Sequence, residues 1–137
     1  CELYTFNYGI DSIYDLLNIT EEDYQSFYSE TLNLVSKLNN TPKFLLMADS
    51  KKIAQKERVE IEKILNLIKR MYIIKYESIT LEKYVDHEDI QEVLEVIMTK
   101  DIKIIVKRIN LLDNIINEFK TNVNKELFIN KLFLSWE

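Results

Sequence analysis

The densest group of chemically capable side chains in the sequence is Asp86-His87-Glu88-Asp89. Imidazole and carboxylate groups hold zinc or iron when one helix face or several elements bring them together. Four consecutive residues point around a helix end instead of converging, and His87 is the single histidine of the chain. The run reads as an acidic helix start, with Asp86 as the cap and Glu88 and Asp89 complementing the dipole of the first turn. The serines (Ser12, Ser26, Ser29, Ser36, Ser50, Ser78 and Ser135) have no glycine elbow around them, which argues against nucleophilic triad chemistry. Cys1 has no basic neighbour to make it a thiolate. With one glycine, Gly9, neither glycine-rich phosphate loop can be built within the chain. Glu60 and Glu92 could do acid–base work only if the fold brought them into one cleft. No catalytic, cofactor-binding or metal-ligating residue is assigned from the sequence.

Binding chemistry is also sparse. Lys51, Lys52, Lys56 and Arg58 are the densest basic group, and Glu57 and the acids after it dilute them into a solvated helix face. Tyr4, Phe6, Tyr8, Tyr14, Tyr24, Phe27 and Tyr28 could stack on bases, but without adjacent Lys or Arg they read as packing. The formal net charge is −5. Residues 1–36 contain seven acids and no Lys or Arg, so this section carries −7 and the remainder +2. A chain of this charge is a poor binder of nucleic acid, and no direct nucleic-acid contact, small-molecule substrate or cofactor is expected. The single cysteine excludes a disulfide within the chain, and there is neither a basic, apolar leader at Cys1 nor a membrane-spanning run, so a cytoplasmic setting is expected. Because the chain starts at Cys1 in what reads as mid-fold, it is expected to be part of a longer protein.

Long apolar periods with one Gly and one Pro in 137 residues predict an all-α fold, a compact bundle of about five to seven helices. Residues 1–18 form a separate aromatic segment, in which Gly9 leads a short helical pattern (Ile10, Ile13, Tyr14, Leu17). Thr20 is placed to cap a helix to about Leu38, with Tyr24, Phe27, Tyr28, Thr31, Leu34, Val35 and Leu38 as its buried stripe and Asn39-Asn40 as its stop. Thr41-Pro42 predicts a new start and a short helix through Phe44, Leu45, Leu46 and Met47 to about Asp49. The longest pattern spans about Lys52 to Glu77, on the face of Val59, Ile61, Ile64, Leu65, Ile68, Met71, Tyr72 and Lys75. Ser78 to Val85 has no clear period. A helix from His87 to about Met98 carries Ile90, Val93, Leu94 and Ile97. Thr99 or Asp101 caps the next, with Ile102, Ile105, Val106, Ile109, Leu112, Ile116 and Phe119, which stops near Thr121.

The last stretch decides the reading. Asn124 is an N-cap and Glu126 lies in the first turn. Leu127, Phe128, Ile129, Leu132, Phe133, Leu134 and Trp136 then follow, too many for one stripe of a surface helix and too few for a bilayer. Each large side chain contributes about 1.5–3 kcal/mol when fully buried, so an excess of them implies a partner surface.

The sequence Asn122-Val123-Asn124-Lys125-Glu126-Leu127, followed by Phe128-Ile129-Asn130-Lys131-Leu132-Phe133-Leu134, resembles the end of the delta-prime family of bacterial DNA polymerase III clamp-loader subunits. There the last helix opens on a similar Asn-rich turn and continues as a leucine-rich run. Tyr8-Gly9-Ile10-Asp11-Ser12-Ile13-Tyr14-Asp15-Leu16-Leu17 resembles the glycine-led helix that closes the AAA+ lid of such subunits, although Ile13-Tyr14 are bulky where the family has small residues. The resemblance implies a lid remnant at 1–18 and a non-catalytic collar, or oligomerisation, domain at 19–137. It implies packing against the helical domains of gamma/tau and delta subunits to support sliding-clamp loading in DNA replication, with the ATPase modules upstream of Cys1. The subunit-interface candidates are Asn122, Asn124, Leu127, Phe128, Lys131, Leu134 and Trp136. Alternatives are a gamma/tau or delta collar, a free-standing helical adaptor, or a helical enzyme using Asp86, His87, Glu88 or Glu92.

Overall fold

The computed structural model describes residues 21–82, 90–121 and 124–136, apart from the side chains of 21–24. Six α-helices account for most of them: α1 (Glu21–Asn40), α2 (Met47–Ala54), α3 (Arg58–Thr80), α4 (Gln91–Val96), α5 (Ile102–Phe119) and α6 (Lys125–Ser135). A 3-10 turn, Lys43–Leu45, precedes α2, and no strand occurs among the described residues. The fold is an all-α compact bundle. None of these helices is long and apolar enough to cross a membrane.

The organising element is α3, about 34 Å long at 1.5 Å per residue. Its buried face carries Ile61, Ile64, Leu65, Leu67, Ile68, Met71, Tyr72, Ile74 and Lys75. This is wider than a surface stripe because α1, α4 and α5 all pack on it. The partner α5 contributes Ile105, Leu112, Ile115, Ile116 and Phe119, and an ion pair joins Lys69 to Asp113 at the surface of that contact. The predicted stripe of α5 holds except that Val106 is exposed and Ile115 is buried.

Local chemistry sets several ends. Asp101 caps α5 by accepting from the Lys103 amide at 3.0 Å, and the Thr99 hydroxyl accepts from the Asp101 amide at 3.2 Å. Asn124 caps α6 by accepting from the Leu127 amide at 3.0 Å. Each satisfies an amide that the first helical turn leaves unpaired. At the other end of α3, Glu82 has φ of 53°, a left-handed value that favours glycine.

Four boundaries differ from those expected. The first helix continues through Asn39 and Asn40, which close its last turn instead of ending it. The turn after Pro42 is 3-10, and its Phe44 and Leu45 face solvent while Leu46 alone enters the core. The pattern expected to begin at Lys52 is broken at 55–57, so α2 and α3 are separate helices and α3 runs on to Thr80. No Gly or Pro causes that break. The Lys125 amine donates to the Lys56 carbonyl at 3.0 Å, and the Arg58 guanidinium stacks 4.4 Å over the Phe119 ring. Contacts from α5 and α6 thus hold the corner that lets α2 fold back along α6. Finally, α4 begins at Gln91. Two side chains from other helices satisfy its terminal carbonyls: Lys75 donates to Leu94 at 2.8 Å and Asn39 to Val96 at 3.2 Å. Thr20, the aromatics before it and Asp86-His87-Glu88-Asp89 lie outside the described residues.

Candidate functional site

The last helix has two faces. At 100° per residue, Phe128, Ile129, Leu132, Phe133 and Trp136 fall within an arc of roughly 140°, and all five are buried. Phe128 meets the Phe119 ring edge-on, with centroids 6.3 Å apart. Leu127 and Leu134, one heptad apart, fall on the opposite side and leave more than half of their surface exposed. The apolar excess of this helix thus resolves into a core arc and an outer row of two leucines.

The interface candidates divide accordingly. Phe128 and Trp136 are taken up by the chain's own core, and only Leu127 and Leu134 stand outward as apolar groups. Asn124 is exposed but serves as the cap of α6. Lys131 is exposed and pairs with Glu118 of α5 at 3.0 Å. Asn122 lies outside the described residues.

Alongside α6, α2 runs antiparallel. Lys125 reaches the Lys56 carbonyl at one end, the Ser50 hydroxyl donates to Asn130 Oδ1 midway, and the Lys43 amine donates to the Leu134 carbonyl at 2.6 Å at the other end. The 3-10 turn is thereby fixed beside the end of α6. Phe44 (76% exposed), Leu45 and Met47 lie at the same end of the molecule as Leu134 (56% exposed). At the opposite end of the pair, Lys51, Ala54, Gln55, Asn124, Lys125 and Glu126 line an open groove.

A second constellation was not recognised in the sequence. Asn39 Oδ1 accepts from Tyr72 Oη at 3.3 Å, Arg108 Nη1 at 3.1 Å and Trp136 Nε1 at 3.2 Å. Arg108 Nη1 also donates to Tyr72 Oη at 3.1 Å, and the guanidinium lies 5.0 Å from the Trp136 ring centroid and 5.8 Å from that of Tyr72. The Trp136 and Tyr72 rings meet edge-on at 5.3 Å. This node ties α1, α3, α5 and the end of α6 together. Burial raises the Tyr72 pKa above its ordinary value, against the opposing pull of Arg108. The sequence signal was available: Arg108 follows Ile105 by three and precedes Leu112 by four, so a cation sits on an apolar stripe. The contacts of Asn39 Oδ1, Tyr72 Oη, Arg108 Nη1 and Trp136 Nε1 close inside the bundle, while Arg108 Nε is buried without a hydrogen-bond partner, and the node acts as a structural pin.

Among the described residues, the groups considered for chemistry do not converge. Glu60 pairs with Lys56 in the first turn of α3, whereas Glu92 lies on α4, which meets α3 near Lys75. Fifteen residues separate Glu60 from Lys75, about 22 Å along the helix. The basic group also disperses. Lys56 lies 3.9 Å from both Glu30 and Glu60, and Arg58 covers Phe119. A cleft of about 360 Å³ between α1, α2 and α3 has the Lys37–Asp49 pair on its rim, and the hydroxyl of its Thr31 is engaged by the Phe27 carbonyl at 2.9 Å. No cluster of metal-ligating side chains occurs among the described residues. Among the protein families, curated proteins and solved structures compared with this chain, none matches.

Proposed function

We propose that this chain is a non-catalytic assembly domain of a bacterial, cytoplasmic DNA polymerase III clamp loader, of the delta-prime kind. It packs against the C-terminal helical domains of gamma/tau and delta subunits and so supports sliding-clamp loading. Two things support the reading: the resemblance carried by residues 122–134, and the division of α6. The division is the observation that carries it. A helix that served only the core would have no use for Leu127 and Leu134 on its outer side, next to an exposed turn bearing Phe44 and Leu45. Covering four such side chains on association removes apolar surface from water at about 25 cal/mol per Å².

The test is assembly of the full subunit with its cognate gamma/tau and delta partners, followed by size-exclusion chromatography with light scattering. Leu134→Asp is expected to weaken the complex by about tenfold or more, as loss of a central apolar anchor does. Val106→Asp, at an exposed apolar position on α5, is expected to leave it intact. The subunits remaining separate at micromolar concentration, with the unaltered chain folded, would refute the proposal. Phe128→Asp is unsuited to this purpose, because it places a charge in the core.

A further inference from the structure

We infer that the outer face of the α2–α6 pair receives an acidic amphipathic helix from a partner subunit. The inference rests on the assembly reading and specifies the chemistry of the partner. Its first ground is the apolar row itself. Phe44, Leu45, Met47 and Leu134 lie exposed at one end of the pair, and Leu127 continues the row two turns along α6, about 10 Å away. A helix recognised in a groove presents apolar anchors at i, i+3 or i+4 and i+7, a spacing that matches such a row.

The second ground is charge. Residues 41–56 and 124–136, which build this pair, contain six lysines against two acids, Asp49 and Glu126, in a chain whose total is −5; Lys56 and Lys131 are paired with Glu30, Glu60 and Glu118 of other helices, and Lys51 is not. Lys51 is exposed on α2, lines the groove beside α6 and has no ion-pair partner among the described residues, whereas Lys52 lines the cleft on the α1 side. Met47 and Lys51 stand one turn apart, so an exposed apolar group and an uncompensated cation share the side of α2 that adjoins the groove beside α6. A basic partner helix would meet like charge at these positions, and an acidic one meets complementary charge. The apolar row supplies affinity, and Lys51, with Lys125 across the groove, selects the sign and orientation of the occupant.

The experiment titrates the intact chain into two labelled peptides of about 18 residues, read by fluorescence anisotropy. Both carry leucines at i, i+3, i+4 and i+7. One has glutamates on its polar face and the other lysines. The acidic peptide is expected to bind saturably, about tenfold or more tighter than the basic one, and to weaken as salt rises from about 0.05 to 0.5 M. Phe44→Ser with Leu134→Ser is expected to abolish binding, and Lys51→Glu to remove the preference for the acidic peptide. Melting temperatures verify that these variants remain folded. Val59→Ser, at an exposed apolar site on α3, is expected to have no effect.

Equal binding of the two peptides, or binding of neither, would overturn the inference. So would sedimentation of the chain as a dimer that Phe44→Ser disperses, since the occupant would then be a second copy. Failure of the peptide with intact assembly of cognate subunits removes this inference and leaves the proposed function standing. Peptide binding without assembly does the reverse.

Discussion

Trp136 and Leu134 stand two residues apart at the end of α6 and meet opposite surroundings. Trp136 is 4% exposed, donates to Asn39 and packs against Tyr72 and Arg108. Leu134 is more than half exposed, and its carbonyl accepts from Lys43. The difference separates two uses of apolar side chains on one short helix. Residues on the core arc are completed by the chain itself, with a polar partner supplied for the one N–H among them. Residues on the outer row are left more than half uncovered by the described part of the chain. Mutations on the two faces should therefore fail in different assays.

The largest effect is expected from Trp136→Ala. It removes a buried aromatic side chain, a substitution that costs about 3–5 kcal/mol, and leaves Asn39 and Arg108 short of a partner. Urea unfolding followed by circular dichroism measures the loss. A cost below about 1 kcal/mol would show that the end of α6 contributes little to the bundle and would dissolve the contrast with Leu134.

Next comes Asn39→Ala, which takes the shared acceptor from Tyr72, Arg108 and Trp136 at once. Donors buried without partners cost about 1–3 kcal/mol each, and partial access to water reduces the sum, so about 2–4 kcal/mol is expected. The same variant frees the Val96 carbonyl at the end of α4, which native-state hydrogen exchange should register as faster exchange in α4.

The pH dependence separates Tyr72 from Lys75. The Tyr72 pKa is raised above 10.0 by burial, so the folded state keeps a proton that the unfolded chain releases. Its contribution is present below about pH 10 and is lost as pH rises through the folded value. The Lys75 pKa is lowered from 10.5, first by burial and then by Lys100. The unfolded chain binds the extra proton there, so this term makes stability rise with pH between the lowered value and 10.5. Melting curves from pH 8 to 12 should show a steeper alkaline decline for the wild type than for Tyr72→Phe. Lys75→Met should lose the opposing rise. A wild type and Tyr72→Phe with parallel profiles would mean that the hydroxyl at the node does not govern alkaline unfolding.

Much of this architecture follows from local rules. One Gly, one Pro and long 3.6-residue periods specify an all-α bundle, and the caps at Asp101 and Asn124 fix the starts of α5 and α6 because cap chemistry is confined to one turn. The corner at 55–57 was not legible, since nothing in Gln55-Lys56-Glu57 breaks a helix and the contacts that hold it come from Lys125 and Phe119. Asn39-Asn40 looked like a stop because asparagine favours helix ends. Here Asn39 is held in the last turn by three donors on α3, α5 and the end of α6. The candidate surface was legible only as an excess. Seven apolar residues after Asn124 show that α6 has more than one stripe, but which of them face inward depends on the arc that α2 and α5 cover.

The smallest effect on stability, with the sharpest consequence for the comparison, is expected from Leu134→Ser combined with Phe44→Ser. Both side chains are exposed, so the change in unfolding free energy should stay within about 0.5 kcal/mol for each. Relieving apolar surface of contact with water should also raise solubility, read as a higher concentration at the onset of precipitation. Assembly with the cognate subunits should nevertheless be lost. A stability loss of about 2 kcal/mol or more would show instead that Leu134 and Phe44 are packed like Trp136. The two faces of α6 would then be one core, and the case for a partner at this end of the molecule would fall with them.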